Sequence, residues 1–408
     1  MIIQNKIKIS SIKNNFIAFI AFTLPLNKNL LPLIIIITML LWLFEAKFNE
    51  KYQLLKSPFF ILSIGFYLLH LVGMFYTNNM EAGSFDLEQK LSLLIFPLLF
   101  FSDPHFNHES LIKVLKSFVL GCVLAGIICG LNAFLKYYLS GESDVFFYAH
   151  FSVIMHTSYF AMYLVFAIIL LLFNDYVIRI STLRALILMF FILLIVLTSS
   201  KSGLFSLGIV LMSKFIYDIF IHKSYLRVFV LFTILFFSAI TIYFLLPKSF
   251  ERLSEMKQNI SNSRSEINTT TSRIAIWKHA SKIISKHYLI GVGTGDVKDA
   301  LKSEYDKQTV SEFGEKKLNA HNQYLQTFIA LGLPGLLILL SLLSVIVYFT
   351  YRHKMLDGTL FTTIISFNML FESMLETQAG VVFIAFFLML YLSEATKYIR
   401  TKNTNIVA

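Results

Sequence analysis

Long apolar runs separated by short polar breaks fill most of this chain. Each run has about 17 or more mostly apolar residues, enough for a helix to cross ~30 Å of hydrocarbon. Read in order, the pattern predicts about twelve spans: 9–26, 30–44, 59–76, 85–101, 114–138, 151–173, 183–198, 203–220, 226–246, 324–351, 359–375 and 380–395. Lys13, inside the first, is expected to snorkel toward the interface. Pro97 is expected to interrupt the fourth. The first run ends in FTLPLNKN without a small-residue cleavage site, and another run follows at once, so it reads as a retained span.

The pattern breaks once at length, between 246 and 324. The stretch SEMKQNISNSRSEINTTTS is polar and is expected to be poorly ordered. Helical periodicity begins near Ser272, a candidate cap. Ile276, Ala280, Ile283 and Ile284 share one face, with Lys278, Lys282 and Lys286 opposite. This predicts an amphipathic helix lying on the membrane or roofing the bundle. Arg273 and Trp277 stand one turn apart on it and project together. It ends at GVGTGD, where Gly291, Gly293 and Gly295 allow a tight backbone. Such a turn can cradle phosphate through free N–H groups, or simply join two helices. Thr294 or Asp296 is expected to cap the next short helix, which runs to about Tyr305. A charged stretch then leads to His321 and Asn322 at the mouth of the tenth span, where Gly332, Pro334 and Gly335 mark a packing notch and kink.

Composition agrees with a membrane chain: 56% of the 408 residues are hydrophobic and 14% charged. The net charge of +11 is mostly topological. Cations gather in alternate breaks, among them Lys47, Lys51 and Lys56, Lys113 and Lys116, Arg352 and Lys354, and Lys397 and Arg400. The positive-inside rule then puts both termini in the cytoplasm and the large loop outside. The expected organisation is 1–246 with nine spans, 247–323 as the outer loop, and 324–408 with three spans and a cytoplasmic tail. The fold class is all-α, a polytopic membrane helix bundle. Nothing suggests nucleic acid, a Walker loop or a repeat. Cys122 and Cys129 lie on one helix face, too far apart to bridge, and read as core residues. No pair of His70, His150 and His156 has metal-ligand spacing. Lys201, in the turn SSKSG, is either an interface anchor or an anion ligand. Glu372 and Glu376, one turn apart near an outer helix end, are candidate functional carboxylates.

The segment HNQYLQTFIALGLPG resembles the H-[NSQ]-x9-G-x-x-G pattern of O-antigen ligases and O-antigen polymerases, with His321, Asn322, Gly332 and Gly335 in place. RIAIW followed by GVGTGD looks like that family's Arg-x3-Trp helix and glycine-rich turn. LTSSKSG resembles its short loop before the eighth span, where relatives commonly carry Arg rather than Lys201. LEQKLSLLIFPLLF shares the family's character. The resemblance implies a GT-C-like glycosyltransferase of the bacterial inner membrane, independent of cofactor and metal. It implies a glycan donor on undecaprenyl diphosphate and a lipid A–core or other glycan acceptor at the periplasmic face. By that resemblance His321 is the catalytic base, and Arg273 and Lys201 bind the diphosphate. Asn322, Trp277, Gly293, Gly295, Glu372 and Glu376 support the site or bind substrate. A polymerase using the same donor, and a lipid-linked glycan transporter, are the competing readings. The transporter fits less well, because polar groups cluster toward one outer face rather than deep in the spans.

Overall fold

In the computed structural model the described residues are 2–45, 51–52, 55–103, 105–220, 223, 269–306 and 319–407. Among them the secondary structure is helical, without strands. Six helices among the described residues are long and apolar enough to cross a membrane. The expected ninth span at 226–246 and the Ser/Asn/Thr-rich approach before 269 lie outside the described residues.

The chain forms two compact units, one made of Met1–Ser117 with Thr269–Ala408 and the other of Phe118–Asn268. In the first unit, α1 (Ile2–Thr23) pairs with α2 (Leu31–Glu45), and α3 (Pro58–Gly73) follows. Lys13 does not snorkel. It is fully buried, with its ammonium 2.5 Å from Glu45 and 2.6 Å from Asp103. A buried ammonium needs paired, hydrogen-bonded carboxylates, and α2 and the residues after the fourth apolar run supply them.

That fourth run is two helices, α4 (Met80–Lys90) and α5 (Ser92–Phe101). The break falls at Leu91, while Pro97 sits inside α5. α4 is capped by Asn79, whose side-chain oxygen accepts from the Ala82 N–H, and it is too polar to face lipid.

α6 (His108–Ser140) leads into the second unit, where α7 is Tyr148–Phe151 and α8 is Thr157–Phe173. Residues 159–171 of α8 are all buried. α9 (Ser181–Thr198) and α10 (Lys201–Phe220) pack on it. Gly203 meets α8 at Ala161, where an added Cβ would come within 2.5 Å. Cys122 and Cys129 are free and buried.

The first unit resumes with the amphipathic helix α11 (Thr269–His287) and α12 (Val297–Asp306). Helix α11 begins before Ser272, so Ser272 is not its cap. Ile276, Ala280, Ile283, Val297 and Leu301 form one apolar cluster with Ile329, Ala330 and Leu331 of α13 (Gln323–Arg352). The apolar face read from the sequence is therefore spent on α13, and the helix roofs the bundle.

α14 (Leu356–Asn368) is shorter than the expected 359–375 span. Thirteen residues rise only about 20 Å, against ~30 Å of hydrocarbon. Residues 369–377 complete the path without α-helix and include the short turn Met374–Glu376. α15 (Gln378–Val407) is buried throughout 381–392 and forms the central column. Non-helical backbone inside a membrane would be tolerated only where protein or a wet cavity satisfies it, which directs attention to 369–377.

Candidate functional site

Helix α13 begins where Asn322 caps it, its side-chain oxygen accepting from the Leu325 N–H at 3.0 Å. Just before that cap, His321 adopts φ +45°. A non-glycine residue in the left-handed region costs about 1–3 kcal/mol and persists only where its surroundings hold it. Here the restraints are dense. The His321 N–H donates to the Asn319 side chain, the Ala320 N–H to Gln326, the Asn322 N–H to Ser373 Oγ, and the Gln323 N–H to the Met369 carbonyl. Gln323 also accepts from the Leu375 N–H at 2.7 Å. The turn carrying His321 is thus sewn to segment 369–377.

The roof helix closes the site from the other side. Trp277 Nε1 donates to the Ala320 carbonyl at 3.0 Å. One turn earlier, Arg273 Nη2 donates to Glu372 Oε1 at 2.8 Å. The second oxygen of Glu372 lies 3.5 Å from His321 Nδ1. One carboxylate therefore bridges the guanidinium and the imidazole, using residues from three separate stretches of sequence. Glu372 is the most enclosed of the three, its side chain 17% exposed against 29% for Arg273 and 31% for His321. Glu372 faces the Nδ1 edge of the imidazole at 3.5 Å without a hydrogen bond to it, and leaves other guanidinium N–H groups for an anion.

Glu376 does not join this cluster. The helix ends at Asn368, so the two glutamates no longer share a face. Glu376 Oε1 turns away to accept from Lys90 Nζ at 2.9 Å, and Lys90 also pairs with Asp86.

The glycine-rich turn is tied into the protein by its backbone. Four of its N–H groups are taken there: Gly291 donates to the His287 carbonyl, Val292 to Ile329, Gly293 to Ala330, and Gly295 to Thr77 Oγ1. The carbonyls of Ile329 and Ala330 are available because α13 breaks at Gly332, whose φ of +62° is non-helical. Pro334 has no N–H to offer Ala330. The Leu333 N–H completes the exchange by donating to the Tyr288 carbonyl at 2.8 Å. The kink in α13 and the turn after α11 therefore satisfy each other's backbone.

The caps differ as well. Thr294 donates to the His70 carbonyl. Both oxygens of Asp296 accept from backbone N–H groups across the fold, at Asn78 and Asn79, each at 2.7 Å. Asp296 staples the turn to the start of α4 rather than capping α12 by its carboxylate.

Lys201 opens α10 in the second unit and is exposed. Ser200 caps that helix, its hydroxyl accepting from the Gly203 N–H. Sequence reasoning missed Lys90, whose signal was a lone lysine inside LEQKLSLLIFPLLF, and missed Ser373 and Gln323, which have none.

Beside Asn322 an apolar groove of about 530 Å³ runs along α13 and α14, lined by Tyr324, Leu325, Leu336, Leu340, Phe367 and Leu370 among others. Among the described residues no group of three His, Cys, Asp or Glu side chains is placed to hold a metal.

Residues 185–340 match a family model described as O-antigen ligase. The match takes in Lys201, Arg273, Trp277, the glycine-rich turn, His321 and Gly332, and stops short of Glu372. No curated protein matches the chain.

Proposed function

Residues 185–340 carry the domain of the O-antigen ligase family, and from that premise we propose that the protein transfers a glycan from undecaprenyl diphosphate to a lipid A–core or similar envelope acceptor. The observation that carries the reading is the Glu372 bridge between Arg273 and His321. An acceptor hydroxyl is a poor nucleophile and needs a base as it attacks the anomeric carbon. With Nδ1 turned to Glu372, His321 presents Nε2 to take that proton. The anomeric C–O bond breaks, and its electron pair leaves on the diphosphate. The unused N–H groups of Arg273 stabilise that growing charge. A single displacement inverts the anomeric centre. Lys201 stays a candidate second diphosphate ligand on the sequence resemblance, with a point charge in place of an arginine fork. Asn322 and Trp277 hold the His321 turn, and Gly293 and Gly295 let the roof approach Thr77 and the start of α4.

The apolar groove beside Asn322 supports an amphiphilic donor, anionic at the head and hydrocarbon below. The alternation of basic breaks supports about twelve spans, an inner-membrane location, cytoplasmic termini and an outer loop over 247–323. The polymerase reading shares donor and chemistry and differs only in acceptor.

The test is a deletion strain whose envelope glycans are resolved on a gel, re-expressing the wild type or His321→Ala. Ligase activity predicts a core-only band and accumulated long carrier-linked chains in the deletion strain. Polymerase activity predicts single-repeat capping. His321→Ala should leave less than about 1% of the transfer, the scale of a lost general base. Unaltered glycans in the deletion strain would refute both versions.

A further inference from the structure

We propose that Lys90 is a positioning residue for the reacting site, acting through Glu376 to set where the backbone of 369–377 presents Glu372. The inference rests on the reading of Glu372 and His321 given above.

Lys90 is 1% exposed at the end of α4, beside the apolar helix α5. It is held by Asp86 from one turn earlier and by Glu376, 286 positions away in sequence. An ion pair so deeply buried adds little net stability over an apolar packing of the same volume. What it does supply is one fixed geometry, because neither charge has another place to go. The other side of 369–377 points to the use of that geometry. Its contacts there go to residues flanking His321: Met369 accepts from Gln323, Ser373 Oγ accepts from Asn322, and Leu375 donates to Gln323. Glu372 lies inside this stretch, four residues before Glu376. The stretch is thus clamped between Lys90 on one side and the His321 turn on the other, and past the last α-type bond, from the Glu372 N–H to the Asn368 carbonyl, no α-helix stiffens it. Without Lys90 the carboxyl groups of Asp86 and Glu376 face each other with no cation between them, and Glu376 is only 13% exposed. It must move toward water, and Glu372 sits on the same short tether.

Two measurements test this. The first is hydrogen exchange on the purified full-length protein and needs no substrate. Lys90→Met should speed exchange at the Asn322, Gln323 and Leu375 amides by about tenfold or more, leaving α15 unchanged. Uniform acceleration through the unit would mean a purely structural role and overturn the proposal.

The second uses the variant Lys90→Met/Glu376→Leu, made and compared in an Asp86→Asn background so that no carboxylate of this cluster is orphaned, which keeps the question open if the single variant does not fold. Its rate is read in membranes carrying the strain's own lipid-linked glycan and acceptor, per amount of folded protein. We expect a loss of tenfold or more. In a Glu372→Gln background the same double change should cost less than threefold, since residues acting through one another are not additive. Full activity of the neutral pair, or a loss that multiplies with that of Glu372→Gln, would overturn it. If His321→Ala leaves the glycans intact, the functional reading fails instead, and the exchange measurement still decides whether Lys90 governs the segment.

Discussion

Replacing Gly332 by alanine tests whether the kink in α13 is what holds the roof over the site. At φ +62° an alanine pays about 1–2 kcal/mol for the left-handed backbone. Its Cβ would also lie 2.5 Å from the carbonyl carbon and oxygen of Leu289 and 2.6 Å from the Ile290 nitrogen. These are backbone atoms, so no side chain can swing away. Relief requires the turn after α11 to retreat from α13. That breaks the hydrogen bonds from Val292 to Ile329, Gly293 to Ala330 and Leu333 to Tyr288, each worth about 0.5–1.5 kcal/mol net. Together the terms reach about 3–6 kcal/mol, and even the low end raises the open population about a hundredfold. The assay is hydrogen exchange at the Val292, Gly293 and Leu333 amides in the detergent-solubilised protein. We expect protection there to fall by about two orders of magnitude, with transfer activity lost because Arg273 and Trp277 ride on the freed helix. Gly65→Ala is the control, since nothing lies within 4 Å of its added Cβ. Protection within threefold of wild type in Gly332→Ala would refute the latch.

Two further outcomes follow from the same geometry. Asp296→Asn puts an amide NH₂ where a carboxylate oxygen accepts a backbone N–H from Asn78 or Asn79; it should cost about 1.5–3 kcal/mol, read as a drop in thermal stability, and an unchanged midpoint would show that the staple contributes nothing. His279 is packed against Tyr305, and burial, with Lys282 nearby, lowers its pKa from 6.5. The folded roof then binds fewer protons than the open one, so this stability is complete above about pH 6.5 and lost as pH falls. Exchange of the α11 amides, corrected for intrinsic chemistry, should quicken from pH 7.5 to 5.5 in wild type and much less in His279→Gln, and equal pH dependence in both would count against it.

The sequence alone determined the membrane class, the positions of six long apolar helices and the pieces of the candidate site. Apolar runs and helical periodicity are local, so the amphipathic α11, the pairing of Arg273 with Trp277 and the kink at Gly332 were all legible. What tertiary structure decided was which groups meet. Glu372 and Glu376 looked like neighbours on one helix face, but α14 ends early and sends one to the Arg273–His321 cluster and the other to Lys90. The glycine-rich turn looked equally suited to an anion or to a simple connection. The N–H groups of Val292 and Gly293 are taken by carbonyls that a kink some 40 positions later leaves unpaired. Lys13 looked like an interface lysine and Lys90 drew no reading, because Glu45, Asp103 and Glu376, which help make their burial tolerable, come from distant parts of the chain. Partners of buried polar groups are set by packing between segments, and no local pattern in a single sequence records them.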